Sequence, residues 1–322
     1  MRDRGADGYV PAMKLPDARG PLGAAVLDHL RGHRSLAEAG VRLQEAGAGD
    51  RALTLWTLHE LYFRGFDDVD ADMEWDPTVV GLRNELESDL ESDLRRAFEA
   101  WDGPMDLPGM IAAFEDRPGL STFIRTSATA AQVREILAEK SVFHLKEADP
   151  HAFVQPRLDV APKAALATIQ FDELGAGRPD RLHAKLFADT LDAAGLDPTY
   201  GAYVARVATS TLTVSNVLTM FCLRRRLRFA AAGHLAAFEA TSSLPCAAIV
   251  RGLRRLGFDE RVVTYYDEHV EADAVHEALA WEELCVPMID GDADREREVL
   301  FGAFACMEVE ARNAADLLER WT

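Results

Sequence analysis

The chain is poor in cysteine, with four in 322 residues, and no two of them form a CxxC. Cys222, Cys246, Cys285 and Cys306 lie far apart. They read as reduced, mostly core thiols of a cytosolic protein, which excludes a disulfide frame or a zinc knuckle. No apolar run approaches the roughly 18 residues of a membrane span, and the opening MRDRGADGYVPAM lacks the apolar core of a secretory signal. Positive charge is also scarce: 35 Lys and Arg stand against 54 Asp and Glu, a formal charge of −19. That balance repels nucleic acid and anionic membrane surfaces, so neither is an expected partner. There is no glycine-rich phosphate loop, nucleophile elbow, low-complexity segment or fixed-period repeat. The acidic run DDVDADMEWD at 67–76 lacks the glycine and closing Glu of a calcium loop and reads as a solvated loop. The expectation is a cytoplasmic globular protein.

What is present is helix after helix. PTVVGLRNELESDLESDLRRAFEAW, TAAQVREILAEKSVFHLKEA, RLHAKLFADTLDAAGL and RVVTYYDEHVEADAVHEALAWEELCVPMI repeat apolar residues at threes and fours. Asp76-Pro77 opens a helix, Gly195 closes another, and Asp197-Pro198 follows it. TSTLTVSNVL is rich in β-branched residues, yet its flanks are helical, so YVARVATSTLTVSNVLTMFCLRRRLRFAA reads as helix throughout. Within it, LRRRLRF at 223–229 reads as a charged helix face and not a binding patch. Gly and Pro interrupt the pattern at WDGPMDLPGM, 101–110. This divides the chain into an N-terminal helical region, 1–110, suited to packing or dimerisation, and a helical bundle, 111–322.

One octapeptide carries chemistry. In HVEADAVH, residues 269–276, a helix turning about 100° per residue sets His269, Asp273 and His276 within an arc of about 60°. That stripe is either a solvated polar face or one wall of a metal site. A carboxylate-bridged dinuclear site needs further Glu, Asp and His from other helices. IQFDELGAG offers Glu173 at the end of an apolar helix, and RPDRLHAKLF offers His183 in the first turns of the next. On one unbroken helix these two would stand about 80° apart; the break at Gly175 and Gly177 lets two helix ends converge. FHLKEADPH carries Glu147, and GHLAAFEAT sets Glu239 in an apolar face, where an ionised carboxylate without a partner is costly.

Glu147, Glu173, His183, Glu239, His269, Asp273 and His276 together resemble the ligand pattern of the haem-oxygenase-like diiron oxidases and oxygenases, a family of iron-containing redox enzymes. The matching features are KEADPH around Glu147, a DExGxG turn with a His ten residues after its Glu, a Glu some thirty residues before the last motif, and HxxxDxxH itself. LPDARGPLG and ELYFRGFDDVDADMEWDP resemble the region that precedes the core in this family. Leu174 departs from it, where a Tyr is more usual. The resemblance implies an all-α, haem-oxygenase-like bundle with an N-terminal helical extension. It implies two iron ions, Fe(II) and Fe(III) in turn, with O₂ as co-substrate and no haem, acting through a peroxo-diferric intermediate. Four carboxylates against two Fe(II) sum to zero charge, and the helix over 262–285 is expected to be ordered by iron. The implied partners are a small-molecule substrate and an external reductase or electron donor, and a homodimer is expected from the long N-terminal region. A carboxylate at Glu173 paired with His183 resembles the N-oxygenating branch. This implies oxygen transfer to a small amine, amino acid or guanidine-like group in natural-product biosynthesis. Oxidative C–C cleavage or desaturation of a fatty or amino acid is the alternative, and a non-catalytic iron-binding bundle a further one.

Around the ligand set, Asp172 is a candidate outer acceptor for a ligand histidine and Asn216 a candidate substrate contact. His144 is a candidate supporting or core residue, outside the family's ligand pattern. His59, His151 and His234 have no acidic partner on a matching stripe beyond Glu60 next to His59, and read as surface or satisfied histidines.

Overall fold

Helices begin where the sequence supplies caps. Asp76 accepts from the amides of Thr78 and Val79 at 2.8 and 3.0 Å, with Pro77 at the first turn, and Thr129 and Gln132 form a reciprocal capping box. The structure is a computed structural model that describes residues 13–40 and 42–321, with the side chains of 271–275 outside the description. In chain order the helices are α1 Pro21–Leu30, α2 Leu36–Ala39, α3 Ala48–Glu60, α4 Pro77–Glu99, α5 Leu107–Glu115, α6 Leu120–Thr126, α7 Ala130–His144 and α8 Val160–Glu173. They continue as α9 His183–Ala193, α10 Thr209–Leu223, α11 Arg228–Ala240, α12 Ser243–Arg255, α13 Glu260–Ala278, α14 Val286–Ile289 and α15 Ala293–Glu319. Among the described residues there is no strand, only an isolated bridge from Met13 to Phe66. The chain is an all-α bundle, and none of its described helices is long and apolar enough to cross a membrane.

The buried axis is the crossing of α11 on α15. A Cβ on Gly233 would fall 1.8 Å from the Val299 carbonyl oxygen, and one on Gly302 1.9 Å from that of Ala230. Only glycine permits this approach, and each helix supplies one. Phe301 and Phe304 of α15 then meet Phe98 of α4, with ring centroids 5.6 and 5.4 Å away, and Arg95 grips Glu298 through two bonds of 2.7 and 2.8 Å. Side chains on both sides of the 101–110 break therefore share one core.

The basic stretch differs from its sequence reading. Residues 224–227 break the helix between α10 and α11, and Arg224 and Arg226 pair with Glu87 and Glu91 of α4. The break is stabilised from a distance: the Arg157 guanidinium donates to the last carbonyls of α10, those of Cys222 and Leu223, at 2.6 and 3.0 Å. A π-helical segment, Leu279–Cys285, continues α13 and packs on α8. The four thiols are unbridged, and three of them are buried.

Candidate metal centre

Six of the seven residues in the ligand pattern meet inside the bundle. Glu147 stands in the turn after α7, Glu173 ends α8, His183 begins α9, Glu239 lies in the last turn of α11, and His269 and His276 sit on α13. All six are buried, none more than 8% exposed. The seventh, the Asp273 side chain, lies outside the described residues. The turn from α8 to α9 explains one convergence. Gly175 and Gly177 take φ +72° and +78°, and a Cβ on Gly175 would stand 2.7 Å from the Arg181 carbonyl carbon. The tight reversal brings His183 Nδ1 to 2.8 Å from Glu173 Oε2.

The potential ligand atoms form two overlapping groups, each with its members within 4.8 Å of one another. One is Glu147, Glu173, His183 and His269; the other is Glu173, Glu239 and His276. Glu173 belongs to both. The histidines are oriented from behind. His269 Nδ1–H donates to the Tyr265 carbonyl at 2.7 Å, which turns Nε2 toward Glu147, 3.7 Å away. His276 Nε2–H donates to Asp172 at 3.3 Å, which turns Nδ1 toward Glu239 and Glu173 at 3.4 and 3.6 Å. Such backing fixes tautomer and ring angle for a metal-binding imidazole. Glu147 receives the Tyr265 hydroxyl on both oxygens, at 3.0 and 2.9 Å, and His144 Nδ1–H at 2.7 Å. The turn that carries Glu147 is itself pinned: buried Lys146 reaches Glu60 at 3.1 Å and lies over the rings of Trp56 and Phe63.

The electrostatics favour a cation. Burial raises the Glu239 carboxyl above its ordinary range, and the neighbouring Glu173 adds to this. Burial opposes charge on His276, yet its approach to Glu239 and the charges of Glu239 and Glu173 carry it up to about 9. Burial likewise opposes charge on Glu147, but His144 and His269 outweigh it and hold the carboxyl well below the usual range. Two nitrogens, His183 Nδ1 and His276 Nδ1, are buried with no aligned hydrogen-bond partner. Buried imidazole nitrogens aimed at carboxylates, in an all-oxygen-and-nitrogen set, fit iron.

A cavity of about 20 Å³ opens beside Glu147, Glu173, Glu239 and His269. Its remaining wall includes His151 and His234, which corrects their reading as surface or satisfied histidines. Both are buried, and His151 Nε2 and both nitrogens of His234 have no hydrogen-bond partner. The spacing test missed them because their surroundings come from other elements: His151 rides a 3₁₀ turn, Asp149–Phe153, and His234 an apolar helix. Tyr265 was also missed, although it extends the HxxxDxxH stripe by one turn, four residues before His269. His59 is buried against Glu87 at 2.9 Å, away from the cavity. Asn216 is not brought to the cavity; its Nδ2 donates to the Ala52 carbonyl at 2.9 Å and ties α10 to α3.

Fold and site define a helical-bundle protein organised around a buried carboxylate–imidazole cluster. The chain belongs to the iron-containing redox enzyme family, whose family model matches residues 134–311, more than half of its length. A nitrosourea synthase from Streptomyces achromogenes subsp. streptozoticus is 28% identical over 126 residues, 39% of this chain and 27% of that protein. The chain thus matches little more than a quarter of that relative. Among solved structures, a CADD-like protein of unknown function from Nostoc punctiforme PCC 73102 aligns with a TM-score of 0.50 at 15% identity, over 73% of this chain and 97% of its own. Another crystal structure of a CADD-like protein of unknown function from the same organism, at 1.35 Å resolution, gives 0.47 at 15% identity, over 73% of this chain and 95% of its own. The first likeness is one of fold, the haem-oxygenase-like helical bundle.

Proposed function

We propose that the protein is a non-haem diiron oxygenase that transfers oxygen to the nitrogen of a small amine, amino acid or guanidine-like substrate. The observation that carries this is the place of Glu173 in both ligand-atom groups. Glu147, His183 and His269 would hold one ion and Glu239 and His276 the other, and Glu173, which has two oxygens, could serve either. Asp273, on the same helix, is proposed to complete the set. Two ferrous ions in such a site supply electrons and a place for O₂ to bind and be reduced.

The chain's own residues do the rest. Tyr265 and His144 hold Glu147 as an oriented anion through their hydrogen bonds, and Asp172 fixes the His276 ring. Phe143, Leu218, Leu235 and Phe238 keep water from the cavity. In the reaction one oxygen atom of O₂ joins the substrate nitrogen and the other leaves as water. Two electrons and two protons balance it, and an external donor restores the electrons. The nitrogen preference draws support from the partial similarity to a protein named for making a nitrosourea. The test is aerobic turnover of Fe(II)-loaded protein with a panel of amines, amino acids and fatty acids, read by product mass. The proposal expects a gain of one oxygen on a nitrogen; chain-shortened or desaturated products alone would contradict it.

A further inference from the structure

His151 and His234 have no role in the ligand groups, yet both face the same cavity. His234 is 2% exposed and His151 7%. One ring nitrogen of His151 is bonded to the Glu147 backbone carbonyl, which leaves Nε2 as an acceptor with no partner. Neither nitrogen of His234 has a partner, so that ring presents one donor and one acceptor. A buried polar atom left unsatisfied has lost its water and gained nothing in return. Leucine or phenylalanine would fill either position without that cost, as Leu218, Leu235 and Phe238 do around them. The two acceptors among these three nitrogens, His151 Nε2 and one nitrogen of His234, line one cavity and are what a ligand head with N–H donors would satisfy.

We infer that His151 and His234 form the substrate-anchoring wall of the site and take the N–H-bearing head of an amine or guanidine. The same lining carries the carboxylates of Glu147, Glu173 and Glu239, so a carboxylate-headed ligand would meet like charges there. A cavity of about 20 Å³ is the size of one amino group or one water. The imidazoles therefore meet one end of a substrate. The inference rests on the nitrogen-substrate reading above, and it makes these two histidines binding residues and not metal ligands.

Calorimetric titration of the metal-free and the anaerobic Fe(II)-loaded protein with methylamine, methylguanidine and acetate tests it, with iron uptake measured alongside. The expected result is binding of one or both nitrogen probes, methylamine against methylguanidine separating the two head groups, and none of acetate. His234→Leu and His151→Leu should each weaken that binding about tenfold, the worth of one hydrogen bond, while His234→Asn recovers part of it and iron uptake stays unchanged. Unaltered probe affinity in both leucine variants, acetate bound as well as the amines, or loss of iron from either variant would overturn the inference. Failure of the wild-type protein to take up iron would instead strike the oxygenase reading. Should the leucine variants not fold, ring-¹⁵N signals of wild-type His151 and His234 carry the same test. A nitrogen probe must shift them and acetate must not, and signals unmoved by any probe would refute the anchoring wall.

Discussion

Glu173 is where the two ligand-atom groups join, and its removal should not act like the loss of any single ligand. Glu173→Ala is expected to reduce bound iron from two ions per chain to one or none and to abolish turnover, by elemental analysis and oxygen uptake. A second residue-scale prediction concerns His234. Burial, with a smaller contribution from His151, pushes its pKa from 6.5 down to about 3. The unfolded chain therefore takes up this proton below pH 6.5 and the folded chain does not, so stability is full above that pH and falls as pH drops toward 3. Each unit is worth about 1.4 kcal/mol. Between pH 7 and pH 5 the wild type should lose about 2 kcal/mol more unfolding free energy in urea than His234→Leu. An equal loss would mean that His234 is not buried neutral. These residues show what sequence reveals and what it does not. Glu239 and the 269–276 stripe were legible because a carboxylate in an apolar face and a one-sided polar stripe are local signals. His151 and His234 were not, since their unpartnered nitrogens are defined by a cavity built from several elements.

At the scale of elements, the close crossing of α11 and α15 positions the helix that carries both Glu239 and His234. Gly302→Ala would drive a methyl into the Ala230 backbone carbonyl, which cannot swing aside as a side chain can. Overpacking of this kind costs about 1–3 kcal/mol, more than the roughly 1 kcal/mol that alanine returns in helix propensity. Gly81, inside α4, has nothing within 4 Å of a built Cβ, so Gly81→Ala should stabilise by up to about 1 kcal/mol. Thermal melts should move in opposite directions for the two variants, and a rise for both would remove the crossing from the account. Helix starts such as Asp76-Pro77 were readable because caps are local. The break at 224–227 was not, because its stabilising partners, Arg157 on the carbonyls and Glu87 and Glu91 on the arginines, lie more than sixty residues away in sequence. The π-helical turn after α13 carries no Gly or Pro to announce it.

Across the whole molecule, an apolar bundle surrounds a site that buries three described carboxylates, Glu147, Glu173 and Glu239, and burial together with the neighbouring Glu173 raises the Glu239 carboxyl. Chain-distant elements, α8, α9, α11 and α13, each deliver a donor to that place. The all-α class was legible from period alone, whereas the convergence of the helices rests on the glycine turn at 175–177 and the glycine crossing at 233 and 302, whose meaning appears only when the backbones meet. If the cluster exists to bind a bridged metal pair, it should fill as a pair. The most direct measurement is an anaerobic Fe(II) titration of the purified chain, followed by metal analysis after removal of loosely bound iron. The account predicts saturation at two iron ions per chain; saturation at one, or no retained iron, would contradict it.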